Sequence, residues 1–328
     1  MTGCSGRTPG RRTSETTRHT QTPDSGGFES AASYSRSRRG DAVLVFADGS
    51  LAYEDYRDGY RPSRPHLLAS GTKTFCGVMA VAAAEDGLFS LDDRVANIIS
   101  EWESNQQKRR ITIWQLLQLT SGLKTSVGNT PNFEEALSMP LVHEPGEEFR
   151  YGPTAFQVFG ALLQRALDGE DPTDYLRRRV LDPLDVEMGG WGRVDGDPQL
   201  AGGALMSARN WLRFGQFLLG DGSVEGTRVL GGGLRETLTT ASAVAPAYGL
   251  TVWLNATVSP DSDFVSHAPL TVDGPNHAIY DSGPDDLFMA AGAANQRLYI
   301  VPSRELVVLR FGRIDRGWDD GEFLSRIL

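Results

Sequence analysis

Apolar positions along the chain recur with two different periods, and the change of period divides the sequence into three parts. Residues 42–46 form a continuous apolar run, Ala47-Asp48-Gly49-Ser50 follows, and residues 51–56 return to apolar and aromatic positions. That pattern predicts a β-hairpin closed at the Asp-Gly turn. Ahead of it, Phe28, Ala31, Ala32 and Tyr34 share one face of a short amphipathic helix. Over residues 70–86 the spacing of Phe75, Val78, Met79 and Ala82 predicts a mostly apolar, buried helix that stops at Gly87. Helical spacing then dominates from about Leu91 to Gly232, with pieces at 113–119 capped by Thr112, 156–167, 174–180 and 208–219, punctuated by Gly and Pro. Strand patterns return at 248–254, 288–290, 297–301 and 306–311, and a closing helix is predicted over 322–328.

Strands near both ends with helices between them predict an α+β fold. One sheet is assembled from residues 25–90 and 240–328 and flanked by helices, and an all-helical domain is inserted at 91–239. A cleft between the two parts is the expected place for a site. Residues 1–24, rich in Thr, Ser, Gly, Arg and Pro, bury too little apolar surface to offset the entropy of ordering, and disorder is expected there. Residues 255–286 read as a long acidic excursion able to fold over the cleft as a specificity loop.

Composition narrows the function classes. The 328 residues are 40% hydrophobic and 23% charged, as in ordinary globular enzymes, and the net charge of −10 argues against a phosphate-binding surface, so no nucleic-acid partner is expected. Cys4 sits in the polar tail and Cys76 in the apolar helix, which argues against a disulfide between them. No apolar run is long enough to cross a bilayer and the N-terminus has no apolar signal region, so no membrane is expected and the chain as written reads as cytoplasmic. Met1-Thr2-Gly3-Cys4 leaves export or a lipid anchor as the alternative should the start lie upstream.

Ser70-Gly71-Thr72-Lys73 carries the chemistry. Residues three apart at a helix start lie on one face, about 5–6 Å apart at Cβ, which brings an amine to a hydroxyl. Serine needs such a base, and lysine serves only if burial or nearby positive charge lowers its pKa by several units. On spacing alone, Ser70 as an N-cap and Lys73 as a snorkelling side chain compete with this reading. A second copy, Ser121-Gly122-Leu123-Lys124, follows a predicted helix and reads as its stop signal. Lys73, Lys108 and Lys124 are the only lysines, and one kept inside an apolar helix is hard to explain as a solvated face. The segment from Glu144 to Pro153 places the Tyr151 phenol at a turn, where a nearby ammonium would keep it acidic enough to relay protons.

With those residues in view, the sequence resembles the serine β-lactamase and penicillin-binding-protein superfamily, especially its branch of esterases, D-amino-acid peptidases and aminohexanoate-oligomer hydrolases related to class C β-lactamases. The likeness runs from about residue 28 to the C-terminus. It rests on Ser70-Gly71-Thr72-Lys73, on Ile113-Trp114-Gln115-Leu116-Leu117-Gln118-Leu119-Thr120-Ser121-Gly122-Leu123, on Pro145-Gly146 through Tyr151, and on Gly292-Ala293-Ala294-Asn295-Gln296 with Tyr299 and Pro302-Ser303. The resemblance implies an antiparallel β-lactamase/transpeptidase-like sheet, Ser70 as acylated nucleophile, Lys73 as base and Tyr151 as proton relay. It also implies an oxyanion hole from the N–H groups of Ser70 and Ala293, with the strand at Ala290, Ala291 and Gly292 lining the substrate cleft.

Two departures shape the expected substrate. Pro153 stands where many members carry an asparagine, and it offers neither an amide side chain nor an N–H. Ala290-Ala291-Gly292 stands where Lys-Thr-Gly or His-x-Gly would hold a substrate carboxylate. Hydrolysis of a small ester or amide is therefore expected, without a cofactor and without a metal. A β-lactamase or D-alanyl carboxypeptidase is one alternative, and a catalytically silent penicillin-binding-like sensor is another. No Gly-x-Ser-x-Gly elbow occurs, Pro145 breaks the helix a His143-Glu144 zinc motif would need, and His267 and His277 with Asp261, Asp263, Asp273 and Asp281 read as solvated loop residues.

Overall fold

The computed structural model describes Met1 and residues 25–259, 261–268 and 278–328. The expectations for the N-terminal tail, and for Asp273 and His277, fall outside the described residues. The predicted hairpin is present as β1 (Gly40–Ala47) and β2 (Ser50–Tyr56). Asp48 and Gly49, at φ 49° and 76°, both take the left-handed conformation that a tight hairpin turn with matching twist requires. Residues of β1 are almost all buried because the strand lies inside the sheet, which is why its sequence is a continuous apolar run rather than an alternation.

Four more strands complete an antiparallel sheet: β3 (Trp253–Leu254), β4 (Phe288–Gly292), β5 (Gln296–Val301) and β6 (Leu306–Gly312). Their order is β3-β4-β5-β6-β1-β2, so the two chain ends meet where β1 pairs β6, with Leu44 opposite Leu309. Helix α1 (Ser25–Ser37) packs on β1 through Phe28, Ala31, Ala32 and Tyr34, all buried. Helix α2 (Lys73–Glu85) follows β2 within the sheet part, α3 (Ile113–Leu117), α4 (Phe133–Ser138), α5 (Thr154–Ala166), α6 (Pro172–Leu176), α7 (Ala208–Leu219) and α8 (Leu234–Thr239) lie in the insert, α9 (Asp263–His267) in the excursion, and α10 (Asp320–Leu324) closes the chain. Of these, α7 lies across β1, β5 and β6 and buries Trp211, Phe214 and Phe217.

Local signals explain where helices begin and end. Thr112 and Gln115 form a reciprocal capping box at α3. At the end of α2, Gly87 takes φ 77° and Leu88 donates its N–H to the Ala83 carbonyl at 3.0 Å, a left-handed stop that a residue with a Cβ would strain. Four expectations are corrected. The insert is not all helical, because the close backbone approach at Gly203-Ala204 lets Ala204–Met206 pair Gly190–Trp191 on one side and His66–Leu67 on the other. The strand predicted over 248–254 is reduced to β3, because Thr251 turns to φ 73° and its carbonyl accepts the Thr74 hydroxyl of α2. The helix predicted over 174–180 ends as α6, and Arg177–Leu181 forms a wide π turn. The closing helix starts earlier than residue 322, because the Asp319 carboxylate caps it by accepting the Glu322 N–H at 2.6 Å.

The sheet holds two fully buried arginines that hydrophobic patterning does not announce. Arg297 meets Asp320 at 2.7 Å, and the same carboxylate accepts the Trp318 indole N–H at 2.8 Å and the Tyr299 hydroxyl. Arg297 also donates to the Gly292 carbonyl at 3.2 Å, and Arg310 donates to the Asn295 carbonyl at 2.7 Å, so both guanidinium groups grip the turn between β4 and β5. Removing the carboxylate alone would leave the buried Arg297 guanidinium without the counter-charge of Asp320. Asp320→Ala is expected to lose roughly 3–5 kcal/mol of unfolding free energy, measured by urea denaturation; a loss below about 1 kcal/mol would show that the ion pair does not secure the sheet.

Candidate active site

The nucleophile sits on a turn fixed from three sides. A short 3-10 helix, Ala69–Thr72, leads into α2, and Ala69 is held at φ 47°, a conformation disfavoured for a residue with a Cβ. Leu68 donates its N–H to the Ala204 carbonyl at 2.9 Å, and Thr72 Oγ1 accepts the Ala204 N–H at 3.1 Å while donating to the Ala69 carbonyl at 2.6 Å. Against the other side lies β4. A Cβ built on Gly292 would stand 2.0 Å from the Leu68 carbonyl oxygen, so only glycine lets the strand approach this closely.

Lys73 is 4% exposed, and its Nζ lies 2.9 Å from Ser70 Oγ and 2.7 Å from the Ala201 carbonyl oxygen. The rings of Tyr151 and Phe156 stand at 4.6 and 5.5 Å. Every partner is neutral. Burial therefore lowers the ammonium to about 7, with the neighbouring Cys76 thiol pulling weakly the other way. When the amine is neutral its lone pair faces Ser70, and the hydroxyl becomes the donor.

Tyr151 is buried at the end of a segment tied to the turn after α3 by two backbone bonds, from Gly146 to the Thr120 carbonyl at 2.7 Å and from Arg150 to the Leu119 carbonyl at 2.8 Å. The expectation of an acidic phenol is corrected. Burial pushes Tyr151 up to about 12, and a hydrogen bond with Ser70 and the field of Arg297 lower it only in part. At neutral pH the phenol keeps its proton and is a donor.

The remaining expected residues divide. Pro153 is buried at the start of α5, where its carbonyl accepts the Phe156 and Gln157 N–H groups at 3.1 Å each. Ala290, Ala291 and Gly292 lie on β4, all buried. Ala293 is the first residue of the turn beyond β4 and is exposed. Asn255 donates to the Leu287 carbonyl at 3.0 Å, and Trp253 pairs Met289, so alternate residues 287, 289 and 291 direct their backbone groups toward the β3 edge. Met289 is the last residue of β4 with a β3 partner, so Ala291 presents its N–H at the edge just past β3, one residue from the Gly292 contact with the Ser70 turn.

The second Ser-x-x-Lys copy splits apart: Ser121 is buried and caps the Leu123 N–H at 3.4 Å, while Lys124 is exposed. His267 and His143 both meet Glu148, through Nδ1 at 3.3 and 2.6 Å. Sequence reasoning missed the Ala201 carbonyl that holds Lys73, and Thr125, whose hydroxyl accepts the Thr154 N–H at 3.3 Å beside Gly152. The run Ala201-Gly202-Gly203-Ala204 was the available signal, since small residues mark a close approach of backbones.

A family model described as Beta-lactamase matches residues 19–319. Among solved structures, a putative beta-lactamase from Bacteroides dorei DSM 17855 is similar with a TM-score of 0.74 at 19% identity, covering 93% of this chain and 99% of that one. A putative 6-aminohexanoate-dimer hydrolase from Bacillus anthracis is similar with a TM-score of 0.71 at 19% identity, covering 90% of this chain and 79% of that one. Protein flp of Staphylococcus aureus (strain NCTC 8325 / PS 47) is 30% identical over 155 residues, 43% of this chain and 31% of that protein. The chain thus spans about a third of the length of the curated relatives it matches. A serine turn facing a buried lysine on an antiparallel sheet agrees with a match that takes in nearly all of the sequence: the chain belongs to the Beta-lactamase family.

Proposed function

We propose that the protein cleaves a small ester or amide through an acyl-enzyme on Ser70. The observation that carries this reading is the 2.9 Å contact between Ser70 Oγ and an amine brought to about 7 by burial. Neutral Lys73 takes the Ser70 proton as Oγ bonds to the substrate carbonyl carbon. The oxyanion is held by the N–H of Ser70 and a second N–H from the β4 edge. The expected second donor was Ala293. The position of Ala291 within the strand, against that of Ala293 in the turn beyond it, favours Ala291 instead. Tyr151 gives its phenolic proton to the departing alkoxide or amine and regains one from Lys73. Water then attacks the acyl carbon with the proton transfers reversed, and Ser70 is released.

The β-lactam and D-alanyl alternatives need a group for the substrate carboxylate, and the buried alanines of β4 supply none. The silent-sensor alternative has less support, because nucleophile, base and phenol are assembled in one place.

Ser70→Ala is expected to reduce p-nitrophenyl acetate hydrolysis by roughly 10³-fold or more and to remove labelling by a fluorophosphonate probe; an unchanged rate would refute the nucleophile. The base must be unprotonated, and burial places that transition at about 7 rather than 10.5. The rate kcat/KM for the same ester should therefore rise with pH through about 7 and level off above it, and a profile still climbing tenfold per pH unit beyond 9 would point to a solvated amine. Tyr151→Phe removes the phenolic hydroxyl and keeps the ring, and is expected to lower kcat by about 100-fold; near wild-type turnover would take Tyr151 out of the proton path.

A further inference from the structure

Five aromatic rings meet beside the nucleophile. Around Tyr151 stand Trp253 with ring centroids 5.7 Å apart, Phe149 at 6.4 Å and Tyr248 at 6.5 Å. Phe264 closes the group, 4.6 Å from Phe149 and 6.4 Å from Trp253. All five are buried. Trp253 belongs to β3, so the rings lie along the edge where Ala291 emerges.

One of the five is attached differently from the rest. Phe264 is the only buried residue of α9, a helix of five residues from the long excursion. Val265 and the adjoining Ala268 pack against the core only partly buried, and His267 Nδ1 reaches the Glu148 carboxylate at 3.3 Å. That carboxylate is already engaged by His143 at 2.6 Å and Arg150 at 2.7 Å. With one buried side chain and a shared polar contact among its described residues, this five-residue helix has less burial to lose on local opening than the sheet behind it.

The chemistry of the covered space is equally specific. Its walls are aromatic. Arg150 is paired with Glu148, and Arg297, the cation whose field reaches Tyr151, is paired with Asp320 at 2.7 Å. The Tyr248 hydroxyl is buried in the same group without a hydrogen-bond partner among the described residues. A carboxylate entering here would lose its hydration, and its pairing with Lys73 would hold the amine protonated and disable the base, whereas an apolar chain would replace Phe264 against the same rings.

We infer that α9 is the movable wall of the acyl pocket, that Phe264 occupies the volume a substrate's acyl group takes, and that this group is uncharged and apolar. The inference rests on acylation of Ser70 and adds the identity of the acyl part. When α9 lifts, the rings of Phe149, Tyr248 and Trp253 face the vacated space, and the substrate carbonyl meets Ser70 beyond Tyr151.

The test compares p-nitrophenyl acetate, butyrate, octanoate and hemisuccinate as substrates of the full chain. In the unmodified protein the hemisuccinate should turn over at least about tenfold more slowly than the butyrate, because its terminal carboxylate loses hydration and holds the base protonated. Equal rates would overturn the uncharged-acyl assignment. Phe264→Ala should raise the octanoate-to-acetate ratio of kcat/KM about tenfold, and Phe264→Leu, which keeps an apolar anchor for α9, should raise it by an intermediate factor. Fluorophosphonate labelling of Ser70 verifies that each variant is folded at the site. A ratio within about twofold of the unmodified protein in a labelled variant would overturn Phe264 as the pocket wall. Failure of the hydrolase reading itself looks different: no acetate turnover and no labelling in the unmodified protein.

Discussion

An amine buried without a counter-charge is the constraint on which the rest of the site depends. Lys73 touches a hydroxyl, a backbone carbonyl and two aromatic faces, and no carboxylate. Had an aspartate stood in place of the Ala201 carbonyl, the ion pair would keep the ammonium charged and the lone pair unavailable. Apolar burial of this kind destabilises the charged form, and the surrounding fold must supply compensating packing. That packing comes from α2, whose residues from Lys73 to Ala80 are all buried. It also comes from the small residues around Ala201, which let the chain run close enough to offer a carbonyl at 2.7 Å.

Holding a hydroxyl against such an amine also demands a rigid turn, and the fold answers with long-range bonds. The Ser70 turn is pinned to Ala204 through Leu68 and Thr72, and pressed against Gly292 of β4. Gly292 is in turn held through its carbonyl by Arg297, which Asp320 of α10 fixes from behind. A chain of contacts therefore runs from the last helix through the buried ion pair to the strand edge and the nucleophile. Sub-ångström control of an active serine requires this kind of second layer, because the hydroxyl has no rigidity of its own.

Much of this was legible in the sequence, and the illegible parts share a physical origin. The β1–β2 hairpin, the burial of α2, the capping box at Thr112 and the split fate of Ser121 and Lys124 all follow from local rules: turn chemistry, periodicity and caps. The pairing of Ser70 with Lys73 was legible because one helical turn brings them together. What escaped was set by contacts distant in sequence. The Ala201 carbonyl meets a lysine 128 residues away, and Asp320 meets Arg297 across the sheet. The turn that cuts the predicted strand back to Trp253 and Leu254 follows from Thr74 bonding the Thr251 carbonyl, which no alternation pattern records.

Burial moves the two proton-handling groups apart, and this separation decides their roles. A free lysine and a free tyrosine titrate close together, near 10.5 and 10.0. Each is penalised here for its charged form, but the charged form of the amine is protonated and that of the phenol is deprotonated. One apolar environment therefore drives lysine down to about 7 and tyrosine up to about 12. Near neutral pH the pair can exist as a free amine beside an intact phenol, with Ser70 Oγ within reach of both. The amine is then the only competent base and the phenol the only competent acid, so the direction of proton flow is set before substrate arrives. The same dryness disfavours a substrate that brings charge of its own, which links the choice of base to the apolar walls formed by Phe149, Trp253 and Phe264.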